Sequence, residues 1–161
     1  MAVTTDILRG WRDPRGLIRE KQAAGVREDR ALATCMGACA LIFVAQWPRL
    51  AREAFLDPSV PLDARMGGAL LAVVFLLPLL LYGIGALSHL VARVFGGKGT
   101  WFHARLALFW ALLVVTPAML LQGLIAGFVG PGTGAAILGA LVGLGFLYLW
   151  LSMLIEAERA A

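Results

Sequence analysis

Long apolar stretches alternate with short polar ones along this chain. The uncharged runs cover residues 31–47, 66–92, 106–128 and 135–155. An α-helix rises about 1.5 Å per residue, so about 20 apolar residues cross the hydrocarbon core of a bilayer. The pattern predicts an all-α fold, a polytopic membrane bundle of about four transmembrane helices over residues 31–156. A separate segment of residues 1–30 precedes this bundle.

Prolines and aromatic residues indicate where these helices end or bend. Trp47 and Pro48 predict the end of the first span, followed by a loop over residues 49–65. The second run is longer than one crossing needs, but it has no polar hairpin at its middle. We therefore expect one tilted helix there, with a bend near Pro78. Pro117 predicts a tolerated kink in the third span.

The first thirty residues carry both charge signs and do not form a secretory signal, so we expect a polar cytosolic segment. Asp13 followed by Pro14 is typical of a helix start, and we expect a short helix through about Ala24. Upstream of it, one side is apolar, with Ile7, Leu8 and Trp11. Such an amphipathic stretch either lies flat on lipid headgroups or forms a solvated, partly ordered tail.

Composition favours lipid as the solvent of this chain. Hydrophobic residues make up 60% of it, against about 45–50% in typical soluble domains, and only 15% are charged. Eleven of the fourteen lysines and arginines lie in residues 1–30, in residues 93–105 or after Ile155. With four spans these three segments share one side, which the positive-inside rule assigns to the cytoplasm, together with both termini. The basic residues flank apolar runs, so nucleic-acid binding is not expected.

Small residues indicate where the spans approach one another. Gly123 and Gly127 lie four apart in the third span, and Gly139 and Gly143 lie four apart in the fourth. In lipid, helices associate through close packing of such residues, so we expect the last two spans to form an antiparallel hairpin through these faces. Gln122 is strongly polar and lies well inside the third span. We interpret it as an interhelical hydrogen-bonding residue, with a substrate pathway as the alternative.

The sequence contains no recognisable catalytic or metal-binding motif. The apolar runs also lack the carboxylates and cations on which coupled transporters depend. Cys35 and Cys39 fall on one helical face, where we expect small apolar packing residues and no metal site. Residues 96–100 resemble a phosphate loop, but Gly99 stands where the motif needs Ser or Thr after Lys98. We therefore expect no enzyme, no cofactor and no metal.

Cations and aromatic residues surround the glycine turn between the second and third spans. The cations and histidines are His89, Arg93, Lys98, His103 and Arg105, with Trp101 and Phe102 between them. Cations beside interfacial aromatic rings at a cytoplasmic boundary suit an anionic lipid headgroup, so these five residues are the candidate lipid contacts. The alternative is that they are ordinary topology-setting charges and interfacial aromatics.

Three features together resemble the Yip family (Ypt/Rab-interacting protein domain), in particular a small bacterial member. They are the basic N-terminal segment with its Asp13-Pro14 pair, the stretch VARVFGGKGTWFHARLALFW after the long second span, and the proline in VVTPAMLLQGL. The resemblance implies an integral protein of a bacterial inner membrane with a cytosolic N-terminus. Many members have five spans, whereas four are predicted here. Eukaryotic relatives are associated with Rab GTPases, a role that we do not carry over, and the family implies no catalytic residue.

These observations leave two functions open. The first is a non-enzymatic scaffold or accessory protein that organises lipids or binds another membrane protein or a second copy of itself. The second is a small homo-oligomeric channel or permease, with Gln122, Thr116 and Ser88 along its path. An enzyme that acts on lipid through His89 and His103 lacks an acidic partner in the sequence.

Overall fold

The computed structural model describes residues 2–159, and all regular structure in that range is helical. The helices are α1 Val3–Arg12, α2 Pro14–Ala23, α3 Glu28–Leu56, α4 Leu62–Val94, α5 Trp101–Phe128 and α6 Thr133–Arg159. Within α4, Leu71–Leu76 is π-helical. Helices α3 to α6 are long enough and apolar enough to cross a membrane. The predicted all-α fold with four candidate spans is confirmed.

Helix α5 is the centre of the bundle. From residue 106 to residue 116 every residue of α5 is buried. This stretch is apolar on all faces, as expected of a helix that other helices surround. Its neighbours are α3, α4, α6 and the two short N-terminal helices. We call the end where α3 and α5 begin and α4 and α6 end the terminal end, and the opposite one the far end.

The glycine pair of α5 packs against α3. A Cβ on Gly123 would overlap the carbonyl oxygen of Ala45, and one on Gly127 would overlap the Pro48 ring. The expected α5–α6 hairpin forms, but these two glycines do not face it. Small residues on one face of a helix indicate that another helix packs closely there, but they do not indicate which helix it is.

The two glycines of α6 differ in what lies beside them. A Cβ on Gly139 would lie 2.8 Å from the Gln122 amide nitrogen, so this glycine leaves room for the amide between α5 and α6. At Gly143 a Cβ would meet no described atom within 4 Å. Gln122 therefore lies beside α6, and its role as an interhelical hydrogen-bonding residue stays a prediction. The contact with α6 is made beside Gly139.

Helix α3 continues through Pro48, where the sequence predicted its end. The following residues favour a helix, and Arg49 forms an i,i+4 ion pair with Glu53 at 2.8 Å. The close packing of Pro48 on Gly127 accommodates the proline. The predicted loop over residues 49–65 is therefore reduced to residues 57–61.

Pro117 lies inside α5 without ending it, as predicted. A proline has no N–H to give to the carbonyl four residues earlier, which here belongs to Leu113. The Thr116 hydroxyl donates to that oxygen at 2.6 Å. The Trp11 indole N–H donates to the next carbonyl, that of Val114, at 2.9 Å. Side chains thus hydrogen-bond the backbone around Pro117.

The N-terminal helices are docked on the bundle. Asp13 accepts a hydrogen bond from the Gly16 N–H at 2.8 Å and Pro14 opens α2, so the predicted helix start is confirmed. Leu17 and Ile18 are fully buried, and α1 and α2 pack on α5 and α6. The segment is thus ordered, in contrast to the solvated-tail alternative. The Trp11 indole of this segment lies against α5.

Two matched glycine substitutions test this packing. We expect Gly123→Ala to lower the free energy of unfolding by about 1–3 kcal/mol because its Cβ has no space beside Ala45. Gly143→Ala should leave it unchanged or raise it by up to about 1 kcal/mol through helix propensity. Thermal unfolding in mild detergent, followed by circular dichroism, measures both. Equal melting temperatures for the two variants would contradict the assignment of Gly123 to the α3 interface.

Candidate functional site

The glycine turn between α4 and α5 is held by the last turn of α6. The Lys98 N–H donates to the Glu158 carbonyl at 2.8 Å, and the Gly99 N–H donates to Glu158 Oε2 at 3.0 Å. A Cβ on Gly97 would lie 2.8 Å from Glu158 Oε2, and one on Gly99 would lie 2.8 Å from the Ala157 carbonyl. The glycines are therefore needed because α6 approaches the turn so closely.

A buried histidine–carboxylate pair joins α4 to α6 behind this turn. His89 Nδ1 lies 2.8 Å from Glu158 Oε1, and the two residues are 2% and 6% exposed. The His89 ring also packs against Trp101, with 4.6 Å between ring centroids. A buried carboxylate is stable only if its oxygens are hydrogen-bonded, and Glu158 has His89 on one oxygen and Gly99 on the other. We call His89, Glu158 and residues 96–100 the clamp.

The sequence analysis missed Glu158, which lies just beyond the predicted bundle of residues 31–156. The structure thus supplies the acidic partner that His89 lacked in the sequence. One signal was available: Glu156 and Glu158 occupy the last turn of a long helix, where the helix dipole disfavours negative charge. Acidic residues at that position call for compensating partners.

The clamp has the parts of an oriented base but not of a complete reaction centre. A carboxylate that holds one nitrogen of an imidazole can orient the ring to accept a proton. Covalent chemistry would also need a nucleophile beside the ring. The neighbouring Ser88 hydroxyl instead donates to the Gly85 carbonyl at 2.8 Å. The observed geometry is that of a structural link between two helices and a turn.

A cleft of about 800 Å³ lies between α4 and α6 at the terminal end. Helices α4 and α6 both pack on α5, and the cleft separates them. Its apolar lining consists of Ile84, Leu87, Val91, Ala92, Phe95, Trp150, Leu151, Leu154 and Ile155. Lys98 and Arg159 also line it, and Glu158 connects it to the clamp. An apolar cleft with cations at one end is the result.

The five predicted lipid contacts do not share one surface. Lys98 lines the cleft, whereas His89 is buried in the clamp and Arg93 is exposed at the end of α4. The backbone N–H of His103 donates to the Thr100 hydroxyl, which caps α5. Arg105 points toward α3: it pairs with Glu28, its guanidinium lies 5.5 Å from the Tyr82 ring centroid, and Gly85 makes room for it.

The residues predicted for a channel path are also dispersed. The hydroxyls of Thr116 and Ser88 donate to carbonyls of their own helices. Gln122 lines a separate cavity of about 160 Å³ with Gln46, toward the far end of α3 and α5. Within one copy of the chain, these three side chains do not line a common passage. Cys35 and Cys39 are buried free thiols in α3.

Breaking the clamp should destabilise the bundle. We expect His89→Ala to lower the free energy of unfolding by about 3 kcal/mol because it leaves the buried Glu158 carboxylate without a partner. Arg93→Ala, one helical turn away and exposed, is the control and should change stability little. The double variant His89→Leu/Glu158→Met should recover part of the loss, since it removes the buried charge as well. A single variant as stable as the control would refute the clamp.

Comparison with known proteins identifies no relative of this chain. The resemblance to the Yip family, the absence of enzymatic activity and the choice of partners therefore remain predictions from the residues themselves. What the geometry contributes is the clamp and the cleft. No family model, no curated protein and no solved structure matches this chain.

Proposed function

We propose that this chain is a non-enzymatic integral membrane protein that organises lipid by holding an anionic phospholipid in the cleft between α4 and α6. The observation that carries the proposal is the composition of the cleft, which combines long apolar walls with cations at one end. Lys98 and Arg159 supply the positive charge for a phosphate group. The walls supply a surface for an acyl chain, so both parts of a lipid find complementary chemistry.

The dimensions of the cleft support a lipid as its occupant. Its volume of about 800 Å³ lies within the roughly 300–1,000 Å³ typical of ligand sites. Leu87 and Leu151 on its opposite walls are 61% and 50% exposed, so the apolar surface is accessible from the side of the bundle. In a bilayer that surface faces hydrocarbon, where an acyl chain enters without crossing water.

The charge distribution supports the orientation of the site. Most of the lysines and arginines belong to the segments at the terminal end, so the positive-inside rule places that end and both termini in the cytoplasm. We propose a bacterial inner membrane as the location. Lys98 and Arg159 then lie at the level of the inner-leaflet phosphates, where each cation contributes about 1 kcal/mol of attraction to an anionic surface.

The clamp supports a binding role over a catalytic one. It fixes the backbone of the turn that carries Lys98, because both Lys98 and Gly99 donate backbone hydrogen bonds to Glu158. A fixed loop presents its cation to a headgroup without losing conformational entropy on binding. In this interpretation His89 serves the position of Lys98 and takes no part in a reaction.

Membership in the Yip family remains part of the proposal. Its support is the sequence stretch quoted above. In this structure Gly97 of that stretch packs closely against Glu158, and Trp101 packs against the His89 ring. A scaffold of this kind would bind a second membrane protein, or another copy of itself, through the exposed apolar faces of its outer helices.

Lipid retention in native mass spectrometry tests the function. We expect the wild-type chain to retain phosphatidylglycerol in preference to phosphatidylcholine with the same acyl chains. Lys98→Gln/Arg159→Gln should weaken that retention roughly thirtyfold, since two cations at about 1 kcal/mol each are lost. Arg15→Gln, an exposed cation on α2, is the matched control.

Two results would count against this function. One is equal retention of the anionic and the zwitterionic lipid by the wild-type chain. The other is a lipid product that forms on incubation with the reconstituted protein and disappears in His89→Gln, which would make the clamp catalytic.

A further inference from the structure

A second cavity, of about 290 Å³, lies at the terminal end on the other side of α5. The two N-terminal helices, the start of α3 and the first half of α5 enclose it. Its polar and aromatic lining includes Asp6, Lys21, Arg27, Arg30, Thr34 and Trp110. None of these residues belongs to the cleft between α4 and α6, so the two cavities are separate.

Asp6 is an unusual residue to find in this wall. It is 2% exposed, and its Oδ2 accepts a hydrogen bond from the Lys21 ammonium at 2.6 Å. Its other oxygen, Oδ1, has no hydrogen-bond partner among residues 2–159. A buried carboxylate oxygen without a donor is costly, so this atom needs a hydrogen-bond donor from outside the described chain.

The remaining lining carries an excess of positive charge. Lys21 is paired with Asp6, and Arg27 with Asp29 at 3.0 Å. Arg30 has no acidic partner in the described part of the chain, because the nearby Glu28 pairs with Arg105. Arg30 is therefore the one cation of this lining without an acidic partner among the described residues, and it is exposed at the mouth of the cavity.

A further feature favours an anion at this wall. The Lys21 ammonium lies 4.7 Å from the Trp110 ring centroid and uses one hydrogen for Asp6. An ammonium has three donors, so Lys21 can still donate to a ligand.

We propose that this cavity binds a monoanionic phosphodiester that carries a hydroxyl group, the chemistry of a glycerol phosphate headgroup. The phosphate neutralises the charge of Arg30, and the hydroxyl donates to Asp6 Oδ1. The cavity volume accommodates a headgroup and leaves no room for an acyl chain. The source of this group is either a membrane lipid or a soluble glycerophosphodiester, and the experiment below distinguishes them.

Two other occupants compete with this assignment. A water molecule would also donate to Asp6 Oδ1, and Arg30 is exposed to solvent, so water alone predicts that Arg30→Gln has no effect on lipid binding. A zwitterionic phosphoethanolamine group would also bring a phosphate and a hydrogen-bond donor, but its ammonium would be repelled by that of Lys21, which already pairs with Asp6. A neutral hydroxyl donor on a monoanionic phosphodiester avoids that repulsion.

Two lipids that differ only in the hydroxyl groups test the assignment. Phosphatidylglycerol and phosphatidylpropanol are both monoanionic phosphodiesters with three-carbon headgroups, and each is added, with matched acyl chains, to the full chain for native mass spectrometry. Binding is measured in the wild-type chain and in Lys98→Gln/Arg159→Gln, which removes the cations of the cleft. In that second background we expect phosphatidylglycerol to bind about tenfold more tightly than the lipid without hydroxyl groups, because a hydrogen bond to a buried carboxylate is charge-assisted.

Variants of the cavity wall give the expected pattern. Arg30→Gln should weaken the binding of both lipids about fivefold, whereas Arg12→Gln, an exposed cation on α1, should not. Asp6→Asn should abolish the preference between the two lipids. Because Asp6→Asn also disturbs the pair with Lys21, Ala33→Met serves as a second variant. It fills the cavity from an exposed position of α3 and should weaken the binding of both lipids.

Soluble glycerophosphoglycerol, added in excess, identifies the source. Displacement of the bound lipid shows that the headgroup alone is the ligand, and failure to displace it assigns the site to a membrane lipid. Equal affinity for the two lipids, or an Arg30→Gln variant that binds like Arg12→Gln, overturns the proposal. Since these measurements are made with the cleft disabled, failure of this site leaves the function proposed for the cleft untouched.

Discussion

The carboxylate of Glu158 lies in apolar surroundings, where an ionised group is tolerated only if both oxygens have hydrogen-bond partners. Its two partners come from different places, the imidazole of His89 on α4 and the N–H of Gly99 in the turn before α5. These two hydrogen bonds hold together the end of α4, the end of α6 and the turn before α5. They also explain the glycines of the turn, because any side chain at Gly97 or Gly99 would occupy space that α6 already fills.

The last turn of α6 extends this link to the N-terminal helices. Arg19 of α2 pairs with Glu156 at 3.0 Å, and the Gln22 amide donates to the Ala157 carbonyl at 3.3 Å. Farther along the same docked segment, Trp11 hydrogen-bonds the backbone of α5 near Pro117. These polar contacts add to the burial of Leu17 and Ile18 in holding α1 and α2 on the bundle.

Both proposed binding regions lie at the terminal end, on either side of α5, and their chemistry differs because their walls differ. The cleft between α4 and α6 is bounded by two membrane-length helices, so it is long and apolar with cations at one end. The smaller cavity is bounded by the short docked helices and by the start of α3, which bring ionised side chains with them. The first region suits an acyl chain with its phosphate, and the second suits only a headgroup.

Local pattern was sufficient to predict the four apolar helices, the start of α2 at Asp13 and Pro14, and the continuation of α5 through Pro117. Each of these depends on neighbours in the chain: the length of an apolar run, a capping side chain, or a helix long enough to continue past a missing N–H. The candidate lipid residues around the turn were also visible as a charged, aromatic stretch. Their separation onto different surfaces was not.

Tertiary contacts decided the rest. The pairing of Gly123 with α3, the passage of α3 through Pro48, the role of Glu158 and the unpartnered oxygen of Asp6 all depend on residues that are distant along the chain. A sequence shows that a small or charged side chain needs a neighbour, because sterics and solvation demand one. It does not show which neighbour arrives, since that is set by how the helices pack around α5.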